Sequence, residues 1–129
     1  MSTATILIAD DDTALLQAME CRLESLGFEV FTTQDGYQAL AIARREHPDL
    51  LILDIAMPAG SGVSVLQRIR AIDEIADVPV IFITGHDMCR VERETGGLTN
   101  AVVIQKPFDT GTLIATIHEA LEGNPIASG

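Results

Sequence analysis

Short apolar runs alternate with helical patterns along the chain, and this alternation constrains the fold more than any other feature. Five runs have the length and apolar character of short strands, at residues 4–9, 28–31, 49–53, 79–83 and 101–105. Segments with apolar residues at helical spacing follow them, at residues 13–26, 35–46, 62–72, 87–95 and 109–121. Short buried strands that alternate with helices favour a parallel sheet covered on both faces. We therefore predict a single-domain α/β three-layer sandwich with a five-stranded parallel sheet.

Composition supports one folded domain. The 129 residues fit a single domain, and 47% hydrophobic with 21% charged residues is too apolar for a disordered chain. No apolar run approaches the roughly 20 residues of a membrane-spanning helix, and the first residues lack the basic segment of a signal peptide. We expect a cytoplasmic protein without membrane contact, with its domain over residues 1–122 and a flexible tail over 123–129.

The charge balance of the chain is strongly acidic. A net charge of −11 argues against direct binding to nucleic acid, whose affinity for proteins comes mainly from basic residues, and it favours basic partners. The basic residues are seven arginines and one lysine. That lysine, Lys106, lies between an apolar strand and a proline, which is an unusual place for a charge that only aids solubility.

The two cysteines, Cys21 and Cys89, lie far apart in sequence and form no metal-binding or redox motif. We expect reduced thiols that are at least partly buried.

Polar residues follow all five predicted strands, and those after four of them suggest a site, whereas Thr32 and Thr33 after the second strand are unremarkable. In open parallel sheets, ligands bind beyond the carboxyl ends of the strands. Side chains at this edge would be those of Asp10, Asp11 and Asp12 after the first strand, Asp54 after the third, Thr84 and Gly85 after the fourth, and Lys106 after the fifth. Several carboxylates crowded together need a cation, and one lysine is too little charge for them. An oxygen-rich site of this kind suits Mg²⁺, which also keeps phosphate oxygens among its ligands.

This set of side chains indicates phosphoryl chemistry. A carboxylate such as that of Asp54 can attack phosphorus and form an aspartyl-phosphate, and phosphoryl transfer depends mainly on positioning and charge neutralisation. Lys106 and the hydroxyl of Thr84 would orient the phosphoryl oxygens. Gly85 has no side chain to obstruct the incoming group, and the loop over residues 55–62 would keep Asp54 accessible.

Four segments of the chain, ILIADDD, LLILDIAMPAGSG, VIFITG and VIQKPF, occur in the order and spacing of a known family. The sequence resembles the receiver domain of two-component response regulators across residues 4–122, in the stand-alone form found in chemotaxis. The resemblance implies a flavodoxin-like fold with strand order 2-1-3-4-5.

The resemblance also implies roles for individual residues. Asp54 matches the phosphoacceptor. Asp10 and Asp11 match the acidic pair that places Mg²⁺, and of the two Asp11 is favoured as the direct ligand. Asp54 and the backbone carbonyl of Ala56 complete the implied metal site. Thr84, with Gly85 beside it, matches the hydroxyl position that responds to the phosphoryl group.

Lys106 matches the lysine of the family, and the Lys106–Pro107 bond is implied to be cis. The implied donor is a phosphohistidine on a histidine kinase or a histidine phosphotransfer protein, and the implied output is a changed contact with a downstream protein target. The protein would be a monomer or weak dimer. It would not be an enzyme beyond Mg²⁺-dependent self-phosphorylation and autodephosphorylation.

The chain departs from the family pattern in three places. Val103 stands where the family often has an aromatic residue that moves on activation. The sequence therefore does not indicate how phosphorylation would be transmitted to a partner. The segment 87–99 predicts a weak helix, since Gly96 and Gly97 interrupt it. Ala56 and His86 occupy the two positions that tune phosphoryl lifetime in the family.

Two other functions compete with a phosphorylated receiver. A degenerate receiver would be an interaction module that never takes phosphate. A phosphatase of the haloacid-dehalogenase type would need a second aspartate at position 56, where this chain has alanine. The sequence also leaves open whether the domain acts alone or belongs to a larger regulator or hybrid kinase.

Overall fold

A five-stranded parallel sheet forms the centre of the computed structural model, which describes residues 3–55, 62–85 and 100–122. The strands are β1 (Thr5–Ala9), β2 (Glu29–Thr33), β3 (Leu50–Asp54), β4 (Val80–Thr84) and β5 (Ala101–Gln105). Their order across the sheet is β2-β1-β3-β4-β5, and every neighbouring pair is parallel. The predicted fold class and strand order are confirmed.

Four α-helices lie in the described parts of the chain: α1 (Thr13–Ser25), α2 (Gly36–Glu46), α3 (Gly62–Arg70) and α4 (Thr110–Leu121). A short 3₁₀ helix, Asp73–Ile75, follows α3. Asp12 and Asp35 cap the amino ends of α1 and α2, where each side chain accepts a backbone N–H. Gly27, with a φ of +97°, follows the end of α1 and allows the chain to turn into β2.

The core has two halves, one on each face of the sheet, because side chains alternate along each strand. On one face, α2 and α3 pack on Leu7, Leu51, Leu53, Val80 and Phe82. On the other face, α1 and α4 pack on Ile6, Ile8, Ile52, Ile81 and Ile83. The layers are therefore helix, sheet and helix, as predicted from the uninterrupted apolar strands.

The predicted boundaries of two strands are wrong by one residue at the site. Asp54 and Thr84 do not follow β3 and β4 but are their last residues. Asp54 pairs with Ile83, and Thr84 pairs with Gln105. Strand pairing uses backbone groups, so a polar side chain at the end of an apolar run does not end the strand.

The predicted burial of the cysteines is also wrong where the structure tests it, although Cys21 is a free thiol as expected. Cys21 is exposed, because the buried positions of α1 are Leu16, Met19 and Leu23, and position 21 lies on the opposite side of the helix. Cys89, the predicted helix over 87–95 and the tail over 123–129 lie outside the described residues. Within residues 3–55, 62–85 and 100–122, no helix has the length and apolar character that crossing a bilayer requires.

Candidate functional site

The strand register brings Asp10 and Asp54 together. Ala9 of β1 is the register partner of Leu53 of β3, so the next residues along the two strands lie side by side. The backbone N–H of Asp10 donates to the carbonyl of Thr33 at 3.1 Å, which fixes Asp10 against the end of β2. The central position of β1 and β3 in the sheet leaves Asp10 only 1% exposed and Asp54 only 5% exposed.

Three carboxylates meet at this edge of the sheet. One carboxylate oxygen from each of Asp10, Asp11 and Asp54 lies within 4.8 Å of the others. Asp11 is exposed, whereas the other two are buried. The predicted acidic cluster is therefore present, with one member accessible to solvent.

Lys106 reaches the same cluster from the end of β5. Its backbone N–H donates to the carbonyl of Thr84 at 2.6 Å, which extends the pairing of β4 and β5 by one residue. Its Nζ lies 2.9 Å from Oδ2 of Asp10 and 3.7 Å from Oδ2 of Asp54. The Lys106–Pro107 peptide bond is cis, as the resemblance implies.

Lys106 is a stable positive charge in this setting. Partial burial favours its neutral form and is the largest influence on its pKa. The pairing with Asp10 and the charges of Asp10, Asp54 and Asp12 act in the opposite direction and together exceed it, so the pKa of Lys106 is raised. The ammonium group is therefore charged at neutral pH.

The donor set fits a small hard cation. The three carboxylates carry more negative charge than the single ammonium group of Lys106 can balance by itself. Oδ2 of Asp10 is buried and accepts no well-directed hydrogen bond from the described residues, although Lys106 Nζ is close to it. Mg²⁺ is commonly held by one or two carboxylates and keeps several waters and phosphate oxygens, and these residues suit that mode of binding.

Comparison with known proteins identifies the family. The sequence pattern of the response regulator receiver domain matches residues 6–118. The chain belongs to this receiver domain family. The match covers all five strands but the first residue of β1, and it includes every residue of the acidic cluster and Lys106.

Curated relatives of this receiver domain include transcriptional regulators. A probable transcriptional regulator, ycf27, of Porphyridium aerugineum is 36% identical over 94% of this chain and 49% of its own length. The transcriptional regulatory protein PrrA of Mycobacterium tuberculosis is 36% identical over 94% of this chain and 51% of its own length. The chain thus spans about half the length of the curated relatives it matches.

Solved structures of receiver domains have the same fold. The chemotaxis protein CheY4 of Vibrio cholerae has a TM-score of 0.86 and 28% identity, with 93% of this chain and 100% of that chain covered. The receiver domain of a Pseudomonas aeruginosa sensor histidine kinase has a TM-score of 0.84 and 28% identity, with 94% and 99% covered. In that second structure a magnesium ion is coordinated in the active-site cleft.

The remaining predicted site residues of the receiver domain differ in accessibility. Thr84 is fully buried, whereas Gly85 is exposed, and a Cβ there would meet no atom of the described residues within 4 Å. Val103 is half-buried, pairs in register with Phe82 and packs on the core face shared with α2 and α3. Ala56 and His86 lie outside the described residues.

Two contacts in the site, made by Gly62 and Asp12, were not predicted from the sequence. A Cβ on Gly62 would lie 2.5 Å from the backbone oxygen of Asp54, so only glycine allows α3 to begin this close to β3. Asp12 donates its backbone N–H to Oδ1 of Asp10 at 2.9 Å while capping α1. An aspartate directly before a helical pattern is a capping signal, which makes the cap predictable but not its hydrogen bond to Asp10.

Proposed function

We propose that this receiver domain accepts a phosphoryl group on Asp54 from a histidine kinase or a histidine phosphotransfer protein. The observation that supports the proposal most strongly is the meeting of Asp54, the acidic pair Asp10 and Asp11, and Lys106 at one edge of the sheet. A buried carboxylate with a lysine and a cation-binding pair beside it has the parts that phosphoryl transfer requires.

In the proposed reaction, an oxygen of the Asp54 carboxylate attacks the phosphorus atom of a phosphohistidine. An O–P bond forms while the P–N bond breaks, and the histidine leaves with the electron pair and takes up a proton. The product is an aspartyl-phosphate, a mixed anhydride. The reaction needs no oxidant and no base on the receiver, because Asp54 attacks as the carboxylate.

The other residues would neutralise and orient the transferred group. Mg²⁺ held by Asp10, Asp11, Asp54 and the backbone carbonyl of Ala56 would supply charge neutralisation on the phosphoryl oxygens. Lys106 would contact a phosphoryl oxygen from the opposite side, since its Nζ is already 3.7 Å from Asp54 Oδ2.

On the β4 side of the site, the hydroxyl of Thr84 would move toward the new group. Gly85 has no side chain that could obstruct the donor.

The proposed output is a changed contact with a downstream protein. The free energy that couples two sites through an equilibrium between two conformations is commonly about 1–3 kcal/mol. Because position 103 is valine, we propose that the response does not depend on an aromatic side chain in β5, and that His86 tunes the phosphoryl lifetime. A cytoplasmic location, no direct contact with nucleic acid, and a monomer or weak dimer are part of the same proposal.

Intact mass measurement tests the phosphoacceptor directly. The wild-type protein is incubated with Mg²⁺ and a small acyl phosphate, beside Asp54→Asn and Asp49→Asn. Asp49 is a matched control, because it is an aspartate next to β3 at the opposite end of that strand, where its side chain accepts the N–H of Thr5. We expect one phosphoryl adduct on the wild type and on Asp49→Asn, and none on Asp54→Asn or after chelation of Mg²⁺.

The same experiment can reject the proposal. An adduct that persists in Asp54→Asn would place the acceptor elsewhere. If neither the acyl phosphate nor a phosphorylated histidine phosphotransfer protein labels the wild type, the degenerate receiver becomes the better account. In that case Asp54→Asn should leave partner binding unchanged.

A further inference from the structure

Asp12 connects the metal-binding edge to helix α1 through two hydrogen bonds. Its side-chain Oδ1 accepts the backbone N–H of Leu15 at 3.1 Å, and this closes the first turn of α1. Its own backbone N–H donates to Oδ1 of Asp10 at 2.9 Å. One residue therefore ends the loop after β1 and also contacts a buried carboxylate of the acidic cluster.

The Asp10 carboxylate has one contact on each of its oxygens. Oδ1 is held by the N–H of Asp12, and Oδ2 lies 2.9 Å from Lys106 Nζ. The Asp10 carboxylate thus has a hydrogen bond on Oδ1 and an ion pair on Oδ2, and both restrict its rotation. If the backbone at Asp12 rotated, the N–H would leave Oδ1 and the carboxylate could turn about its χ2 angle.

The backbone at Asp12 is in turn fixed by its side chain. Its dihedral angles, φ −86° and ψ 101°, are the extended values of an N-cap residue. The bond to Leu15 favours these angles over others that the loop could adopt. The side chain of Asp12 thus controls the direction of the N–H that binds Asp10.

We infer that Asp12 is a positioning residue for Mg²⁺, which acts through its helix cap on the Asp10 carboxylate and not as a metal ligand. The inference rests on the proposed function, since it assumes that Asp10 helps to bind Mg²⁺. Partners that orient metal ligands are worth roughly 10–100-fold in metal affinity. An indirect contact through a cap belongs at the lower end of that range.

Asp35 provides a matched control within the same chain. It is the N-cap of α2, and its Oδ1 accepts the N–H of Gln38 at 2.7 Å, so its cap has the same chemistry as that of Asp12. In the described structure, none of the hydrogen bonds of Asp35 reaches the acidic cluster. Removing either cap should destabilise a helix, but only one removal should affect the metal.

Three substitutions at position 12 distinguish the effect of the helix cap on Mg²⁺ binding from the effect of the negative charge. Asp12→Asn keeps a good capping side chain and removes the charge. Asp12→Ala removes both. Asp12→Gly also removes the side chain but costs less stability, because glycine is tolerated at an N-cap, so it covers the case in which Asp12→Ala does not fold.

The experiment is a calorimetric titration with Mg²⁺ alone, together with the thermal midpoint of each variant. We expect the dissociation constant of Mg²⁺ to rise about tenfold in Asp12→Ala and Asp12→Gly, and to stay within about threefold of the wild type in Asp12→Asn. Asp35→Ala should lower the thermal midpoint about as much as Asp12→Ala and leave the dissociation constant unchanged.

Other results overturn the inference. Equal weakening in Asp12→Asn and Asp12→Ala would mean that Asp12 acts by its charge alone, and an unchanged constant in Asp12→Gly would mean that the cap has no influence. Weakening in Asp35→Ala as large as in Asp12→Ala would show a general effect of lost stability. Failure of the wild type to bind Mg²⁺ would instead reject the proposed function, and this inference with it.

Discussion

Acidic residues lie at both ends of the parallel sheet, but the two groups of carboxylates differ in burial and in their partners. At the carboxyl end, Asp10 and Asp54 are buried and lie beside Lys106. At the amino end, a cavity of about 310 Å³ is also lined by acidic groups. Its acidic residues are Asp49, Asp73, Glu74 and Asp77, and all four are exposed.

Both ends of the sheet carry several carboxylates, so their number does not identify a binding site. The carboxyl end differs because its carboxylates lie close together and two of them are buried. Exposed carboxylates are solvated by water and need no counter-ion. Asp49 has a local structural partner, because it accepts the N–H of Thr5. Buried carboxylates within 4.8 Å of one another repel and are desolvated, so they need a cation or a proton. The carboxyl end alone combines these conditions among the described residues.

After the complete loss of labelling in Asp54→Asn, the largest expected effect comes from removing the side chain of Lys106. Lys106→Ala should lower the rate of Mg²⁺-dependent labelling by about 100-fold, because one charged contact to a reacting oxygen contributes about that much. The rate is measured by intact mass against time. Arg45→Ala is the control, since Arg45 forms an exposed ion pair with Glu46 away from the site. Equal rates for Lys106→Ala and the wild type would contradict the proposed role of the lysine.

A second test compares one glycine near each end of the sheet. Gly62→Ala places a Cβ against the backbone oxygen of Asp54 and should lower the free energy of unfolding by about 1–3 kcal/mol. Gly27→Ala has space around it but a φ of +97°, and should cost about 1 kcal/mol. Denaturant unfolding measures both changes.

The two glycine variants should differ in labelling. Only Gly62→Ala displaces Asp54, so it should lower the labelling rate while Gly27→Ala leaves the rate unchanged. If both variants label like the wild type, the close contact of α3 with Asp54 does not matter for the site.

A smaller effect is expected on the stability that Mg²⁺ adds, when an aspartate is replaced at one end of the sheet or at the other. At a Mg²⁺ concentration ten times the dissociation constant, the wild type should gain about 1.4 kcal/mol of stability. Asp11→Asn should lose most of this gain, since Asp11 belongs to the acidic cluster. Asp73→Asn, at the amino end, should keep it. A gain that disappears in Asp73→Asn but persists in Asp11→Asn would place the metal at the amino end of the sheet and contradict the proposed Mg²⁺ site.

Much of the fold was predictable because the apolar pattern is strong. Uninterrupted strands such as β3 and β4 indicate a sheet buried on both faces, and the carboxyl ends of parallel strands share one edge. The resemblance added the strand order. Asp54 and Thr84 were placed just beyond their strands because their side chains are polar, although backbone pairing continues through both.

The features that could not be predicted from the sequence depend mainly on contacts between separate segments of the chain. The approach of Gly62 to the backbone of Asp54 exists only after α3 packs on the sheet. The bond between Asp12 and Asp10 depends on the loop conformation after β1. The exposed thiol of Cys21 follows from helix phase, which the positions of Met19 and Leu23 could have indicated. A single sequence records residue types and spacing but not these close approaches.

The measurement that tests the central claim most directly is the chemical identity and position of the phosphoryl group. Borohydride reduces an acyl phosphate of aspartate to homoserine and leaves phosphoserine and phosphothreonine unchanged. We predict that reduction after labelling with Mg²⁺ and an acyl phosphate converts Asp54 alone to homoserine, as read by peptide mass spectrometry. Homoserine at an amino-end residue such as Asp49, or a phosphoryl group that survives reduction on serine or threonine, would contradict the account.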